Sequence, residues 1–359
     1  MCAFILSGLL TLTGYRDVKK EVDLKPESKE WSRPISGGRV QCLICPHGCI
    51  LIPGAVGRCG VRVAGVNRIS NPYTFQLSVI RFDPVEKKPL FHFYPGRLVL
   101  SLGGVGCNLQ CQWCQNYSIS QCIPSDLHGL KSFSIPEILS VARSEPRSIG
   151  VAFTYNEPTV SLEFLLEVSR AFQQSGLICS MITNGFINQT PLGALCEVID
   201  AFNVDLKGFN ENFYRDCTTG HLSTILQSLR MIRTAGKHLE VTFLAIPELN
   251  TSFSDFEAMC RWIADNLGAD TPLHISRYHP AWQCGIQATP SDLLVALYEK
   301  AKINLNYVYL GNLSSNDYES TNCPDCGMLL VERAGYQVII RGMEQNRCSS
   351  CRRIIPGVF

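Results

Sequence analysis

In the stretch "GGVGCNLQCQWCQN", from Gly103 to Asn116, cysteines fall at 107, 111 and 114, and Trp113 precedes the last. Thiolates are soft ligands that select zinc or iron–sulfur clusters. Three of them are one short of a closed tetrahedral site, so either a fourth ligand arrives from elsewhere or the centre keeps an open position. A cubane [4Fe-4S] cluster held by Cys107, Cys111 and Cys114 leaves one iron free for a substrate or cofactor. The bland alternative is a zinc knuckle with a remote fourth ligand. Gly103, Gly104 and Gly106 allow the backbone to approach a bulky group here.

Two further quartets carry metal-ligand spacing. Cys42, Cys45, Cys49 and Cys59 form C-x2-C-x3-C-x9-C, with Pro46, Gly48, Gly54, Gly57 and Gly60 supplying the turns of short loops. Zinc at this quartet would hold a small subdomain that has little core of its own; an auxiliary cluster is the alternative, and His47 is a possible replacement ligand. Cys323, Cys326, Cys348 and Cys351 are two CxxC knuckles around a hairpin-like "MLLVERAGYQVII", the pattern of a zinc ribbon.

These loops need a scaffold, and the middle of the chain supplies one. From Arg97 onward, apolar runs ("RLVLSLG", "IGVAFTY", "ICSMITN", "AFNVDLK", "LEVTFLAI", "LHISRY", "YVYLGN") alternate with amphipathic segments. Near-continuous apolarity marks strands buried on both faces. Ser134 with Glu137 and Ser254 with Glu257 fit capping boxes, and Thr190-Pro191 and Thr289-Pro290 fit an N-cap followed by proline. Repeated strand–helix units imply an α/β fold with a parallel sheet, a partial (β/α)6 barrel whose chemistry gathers at the C-terminal strand ends. Polar exceptions fall at those ends: Cys107, Glu157, Asn184, Lys207 and His279.

Bulk properties narrow the function classes. Net charge is +1 over 359 residues, which argues against a generic nucleic-acid-binding face. Eighteen cysteines in clustered pairs favour metal ligation in a reducing, cytoplasmic setting over a disulfide scaffold. The apolar stretch Ala3 to Gly14 is too short to span a membrane and lacks the flanks of a signal peptide, so an arm or tail is expected. The expected organisation is an N-terminal extension (1–38), a Cys-rich subdomain (39–96), the barrel (97–312) and a zinc-ribbon-like domain (313–359).

On these motifs the chain resembles the radical S-adenosylmethionine (SAM) superfamily, whose hallmark is this three-cysteine spacing with an aromatic residue at that place. The resemblance implies that the free iron chelates SAM and that reductive cleavage yields a hydrogen-abstracting 5′-deoxyadenosyl radical. Glu157 in "FTYNEPT" takes the place of the family's Gly-Gly-Glu element and would accept from the SAM ammonium, although Tyr155 and Asn156 stand where glycines are usual. Thr183 and Asn184 in "ITNG" would lie near the ribose. Asp205 and Lys207 in "VDLKGF" match an Asp-x-Lys of glycyl-radical activating enzymes, including those like the pyruvate formate-lyase activating enzyme, with Lys207 offering a cation to the SAM carboxylate. His279 in "SRYHP" matches a histidine near the cofactor in the same relatives.

A narrower resemblance rests on "CLICPHGC", "GRCGVR", "DPVEKKPLFHFYPG", "GCNLQCQWCQN", "SRYHP" and the ending "CPDCG…IPGVF". Together these are similar to the radical SAM component of the AmmeMemoRadiSam system over residues 40–359. That likeness implies AMMECR1-domain and Memo-family partners, and the chemistry implies a low-potential electron donor. The rival readings are a glycyl-radical activase acting on a partner protein, a radical nucleic-acid modifying enzyme that docks through the ribbon, and a non-catalytic metal-binding scaffold. The segment "DPVEKKPLFHFYPG" either packs the small domain on the barrel or frames the site's mouth.

Overall fold

In the computed structural model, which describes residues 31–122, 129–313 and 317–359, the apolar runs become the strands of one sheet. The N-terminal apolar stretch, most of the expected extension, lies outside the described residues. The order along the chain is β1 (Leu98–Gly103), α1 (Ile135–Ser144), β2 (Ser148–Phe153), α2 (Leu162–Gln174), β3 (Ile178–Thr183), α3 (Gln189–Val198), β4 (Ala201–Asp205), α4 (Leu222–Thr234), β5 (His238–Ala245), α5 (Phe253–Leu267), β6 (Leu273–Arg277), α6 (Ser291–Lys302) and β7 (Val308–Gly311). Each strand pairs in parallel with the next. Six strand–helix units and a seventh strand therefore form an α/β layer, with an antiparallel strand, Val79–Pro84, added on β1. That strand and β7 are the two edges, so the barrel is open.

Local sequence explains the pieces. Leu98–Gly103 and Ser148–Phe153 are buried along almost their whole length, which accounts for the absence of strict alternation. Ser134 accepts from the Glu137 N–H while Glu137 reaches back to the Ser134 N–H, a complete capping box at α1. In α5, Phe256, Met259, Cys260, Ile263 and Leu267 are the buried stripe, so Cys260 is a core residue.

Small antiparallel units stand at either end of the chain. Ser32–Ile35, Arg39–Cys42 and Ile50–Leu51 form one sheet. Thr321–Asn322, Leu329–Ala334 and Gln337–Ile340 form another, the expected ribbon hairpin. The C-terminal unit packs at the N-terminal ends of the barrel strands, away from the Cys107 loop. There Arg333, buried, donates to the Phe91 carbonyl (2.6 Å) and to Thr321 Oγ1 (2.7 Å) and stacks over the Phe91 ring. Glu240 at the start of β5 gathers four donors at the same end: the backbone N–H groups of Phe91 (3.0 Å) and His92 (2.8 Å), His238 Nε2 (2.9 Å) and His274 Nε2 (2.6 Å). Burial opposes its charge, but the two histidines hold the Glu240 carboxyl well below the usual carboxylate range.

Candidate metal and cofactor site

The loop after β1 is braced from several directions. The Cys114 N–H donates to the Cys111 carbonyl (3.1 Å), the Gln110 N–H to the Thr218 carbonyl (2.9 Å), and Asn108 Nδ2 to the Phe186 carbonyl (2.7 Å). Trp113, 4% exposed, stacks on Phe213, which gives the aromatic residue before the last cysteine a packing role. At Gly106, φ is +84°, and an added Cβ would lie 2.6 Å from the Cys59 carbonyl oxygen and 2.7 Å from Val61 Cγ1. Only glycine fits this turn without displacement.

Cys107, Cys111 and Cys114 open on one cavity of about 340 Å³ at the C-terminal end of the sheet. Glu157, Asn184, Asp205 and Lys207 line it too, with Thr183, Thr242 and Ser276, so the loop thiols meet polar groups from the ends of β2 to β6. Burial pushes the Cys111 thiol up to about 12 and the Cys107 thiol well above its ordinary value, so these sulfurs become thiolates only against added positive charge. A thiol trio with no fourth sulfur among the described residues on the same cavity, beside open volume, suits a [4Fe-4S] cluster with one exchangeable iron and a small cofactor next to it.

Glu157 is 2% exposed. Its Oε1 accepts from the Thr159 N–H (3.1 Å), Thr159 Oγ1 (2.9 Å) and Thr183 Oγ1 (2.8 Å), while Oε2 accepts from the Asn184 N–H (2.8 Å). Burial raises its pKa despite these donors. The carboxylate thus ties the end of β2 to that of β3. Asn184 passes the constraint on: its Nδ2 donates to Asn108 Oδ1 (2.9 Å) and lies 3.8 Å from Cys107 Sγ. Lys207 donates from Nζ to Asp205 Oδ2 (2.9 Å). Burial works against its charge, but the Asp205 carboxylate prevails and holds the ammonium's pKa above the ordinary lysine value. His279 follows β6 but is exposed and does not line the cavity; Ser276, three residues earlier, does.

A second set of lining groups joins the segment "DPVEKKPLFHFYPG" to Tyr155. Tyr155 adopts φ +75°, strained for a non-glycine residue, and donates from its hydroxyl to Asp83 Oδ2. Lys87 and Lys88 both reach Asp83 at 2.9 Å, and Lys88 sits over the Tyr155 ring. Burial pushes the Lys88 pKa down to about 8, partly offset by Asp83. Both lysines line the cavity, whereas His92 in the same segment is buried at the opposite end against Tyr309 and the Pro356 carbonyl. "DPVEKKPLFHFYPG" therefore frames the site and also docks the C-terminal unit.

The two outer quartets differ in spacing. Cys323, Cys326, Cys348 and Cys351 bring their sulfurs within 4.8 Å of one another, the arrangement of a single tetrahedral ion. Cys42, Cys45, Cys49 and Cys59 line a cavity of their own together with His47, Arg62 and Asn108. His47 Nε2 is taken up by the Asn108 carbonyl (2.8 Å).

Comparison with known proteins follows the same lines. The family described as the Radical SAM superfamily matches residues 102–263. An uncharacterized protein of Methanocaldococcus jannaschii is 37% identical over 322 residues, covering 88% of this chain and 95% of that protein. The benzylsuccinate synthase activating enzyme of Thauera aromatica is 22% identical over 200 residues, covering 50% of this chain and 60% of that protein. A crystal structure of a domain of the pyruvate-formate lyase-activating enzyme from Bacteroides vulgatus matches with a TM-score of 0.41 at 16% identity, over 45% of this chain and 98% of that one.

Proposed function

The chain belongs to the radical SAM superfamily, and from that premise we propose an iron–sulfur enzyme that binds SAM in the cavity shared by Cys107, Cys111 and Cys114 and uses it to take hydrogen from a substrate. A [4Fe-4S] cluster with SAM beside it would supply one-electron reductive cleavage of the sulfonium, the electron coming from a low-potential donor. The chain's own part is to hold, orient and exclude water. Cys107, Cys111 and Cys114 hold the cluster. Lys207, kept charged by Asp205, faces the SAM carboxylate. Glu157, whose Oε2 takes a single protein donor, accepts from the ammonium, and Asn184 fixes the cluster loop against the ribose side.

The observation that carries this reading is the meeting of three thiols and the polar groups of five strand ends in one cavity of small-molecule size. Anaerobic reconstitution with iron and sulfide, followed by mass spectrometry for 5′-deoxyadenosine, tests it. Product from the unaltered chain and none from Cys111→Ala is expected; product retained in that variant rules out the ligand assignment.

The finer reading is membership of the AmmeMemoRadiSam group, with AMMECR1-domain and Memo-family proteins as partners, a low-potential electron donor, zinc in the ribbon and a cytoplasmic setting. Among the described residues no helix is long and apolar enough to cross a membrane. A second reading, activation of a glycyl-radical partner protein, draws on the Thauera relative's name and on the Asp205–Lys207 pair. A glycine radical on a partner that forms only with this chain would favour it.

A further inference from the structure

The four sulfurs of the N-terminal quartet are less tightly gathered than those of the ribbon. Zinc holds thiolates at ~2.3 Å, which places tetrahedral sulfurs ~3.8 Å from one another. The ribbon meets that requirement: Cys323 and Cys351 sulfurs are 3.5 Å apart, and those of Cys326 and Cys348 are 3.6 Å apart. Among the described residues, this is the only group of three or more such ligands gathered within 4.8 Å. No three of Cys42, Cys45, Cys49 and Cys59 are that close, and neither are Cys107, Cys111 and Cys114.

The wider quartet is nevertheless a single site. All four cysteines line one void, together with Ile44, His47 and Arg62. A Cβ added at Gly57 would lie 3.8 Å from both Cys49 Sγ and Cys59 Sγ, so these two sulfurs are no more than twice that distance apart. Gly57 leaves open the space that a side chain would fill. A four-iron cluster needs this arrangement, because each thiolate caps a different iron and inorganic sulfide fills the centre.

The walls suit such a cluster. Ile44, Leu51 and Val160 enclose it. Arg62 lines the void, is 2% exposed, and pairs through its terminal nitrogens with Glu163 at 2.8 Å. Its Nε is buried without a hydrogen-bond partner among the described residues, a donor available to a sulfur. We propose that Cys42, Cys45, Cys49 and Cys59 hold a second iron–sulfur cluster, distinct from the Cys107 centre and from the ribbon's ion. The two cluster loops are in direct contact: the Cys107 N–H donates to the Cys59 carbonyl (3.3 Å), and Asn108 lines the quartet's void while bonding Asn184 at the SAM site.

The test uses the full chain, purified and reconstituted without oxygen, beside a variant carrying Cys107→Ala, Cys111→Ala and Cys114→Ala together. Iron, sulfide and zinc are counted, and dithionite-reduced samples are examined by electron paramagnetic resonance with and without SAM. With two four-iron clusters, the triple variant loses about half its iron and keeps acid-labile sulfide. Its zinc stays unchanged, and its reduced-cluster signal is indifferent to SAM. Iron at background in the folded triple variant but not in the unaltered chain, with about two zinc ions per chain in both, would overturn the proposal. Should the triple variant not fold, the unaltered chain decides: two reduced signals, one shifted by SAM, support the quartet's cluster, and one signal refutes it. A lone signal in the unaltered chain that ignores SAM and survives in the folded triple variant would sink the proposed function and leave this cluster standing.

Discussion

Glu157→Gln isolates what the buried carboxylate does. The substitution keeps size and shape but swaps one acceptor oxygen for an NH2 donor. On the Oε1 side the amide nitrogen would meet the Thr159 N–H, and on the Oε2 side it would meet the Asn184 N–H. The threonine hydroxyls can rotate to accept, but a backbone N–H cannot, so either orientation leaves one buried donor opposed. A buried hydrogen bond unmade in this way costs ~1–3 kcal/mol. The strain falls on the ends of β2 and β3 and, through Asn184, on Cys107 and Asn108. If the cost is expressed in the bound state, SAM affinity falls by about 5- to 150-fold. Anaerobic titration calorimetry on reconstituted protein measures it, with iron content checked in parallel. A dissociation constant within twofold of the unaltered chain's, at full iron content, would refute the role given to Glu157.

Three further outcomes follow from the geometry. His92 is fully buried, and burial lowers its pKa from the ordinary 6.5 to about 4, so the unfolded chain binds a proton that the fold refuses. Stability should fall as pH drops from 6.5 toward 4, by about 3 kcal/mol in all from this group, with the depressed Glu240 adding to the loss at the acid end; denaturant titrations across that range check it. Gly106→Ala should lower stability by more than about 1 kcal/mol and reduce iron loading, read by melting temperature and metal analysis, because its Cβ meets the Cys59 carbonyl in a left-handed turn. Cys348→Ser at the fully buried ribbon position should release the ribbon's metal and lower the melting temperature, while iron at the Cys107 loop stays loaded, since the ribbon docks at the opposite end of the barrel.

Much of the site was legible because its ligands are local words. Cys107, Cys111 and Cys114 lie within one loop, and the ribbon's knuckles announce their own closure. Glu157, Asn184 and Lys207 stand out by position, since buried parallel strands push polar exceptions to their ends, and all three line the cavity. The Asp83–Lys88–Tyr155 group was not legible as a unit, because Tyr155 meets Asp83 across 72 residues. His279 follows the sixth strand as expected, yet Tyr278 turns inward to bond the Cys284 carbonyl, and the next side chain points to solvent. Helix starts drifted for a similar reason: α5 begins after Ser252 rather than Ser254, α3 after Asn188 rather than Thr190, and Thr289 spends its hydroxyl on the Ala245 carbonyl while α6 starts after Pro290. Tertiary partners chose among several local caps of equal quality.

The central claim is an iron at the Cys107 loop with a position open to SAM. Electron–nuclear double resonance on the reduced protein with SAM labelled at its amino nitrogen and carboxylate tests it most directly. Hyperfine coupling from both labels to a [4Fe-4S] cluster, absent in Cys111→Ala, is the predicted result. A reduced cluster without coupling to either label, or a zinc ion saturating those three sulfurs, would contradict it.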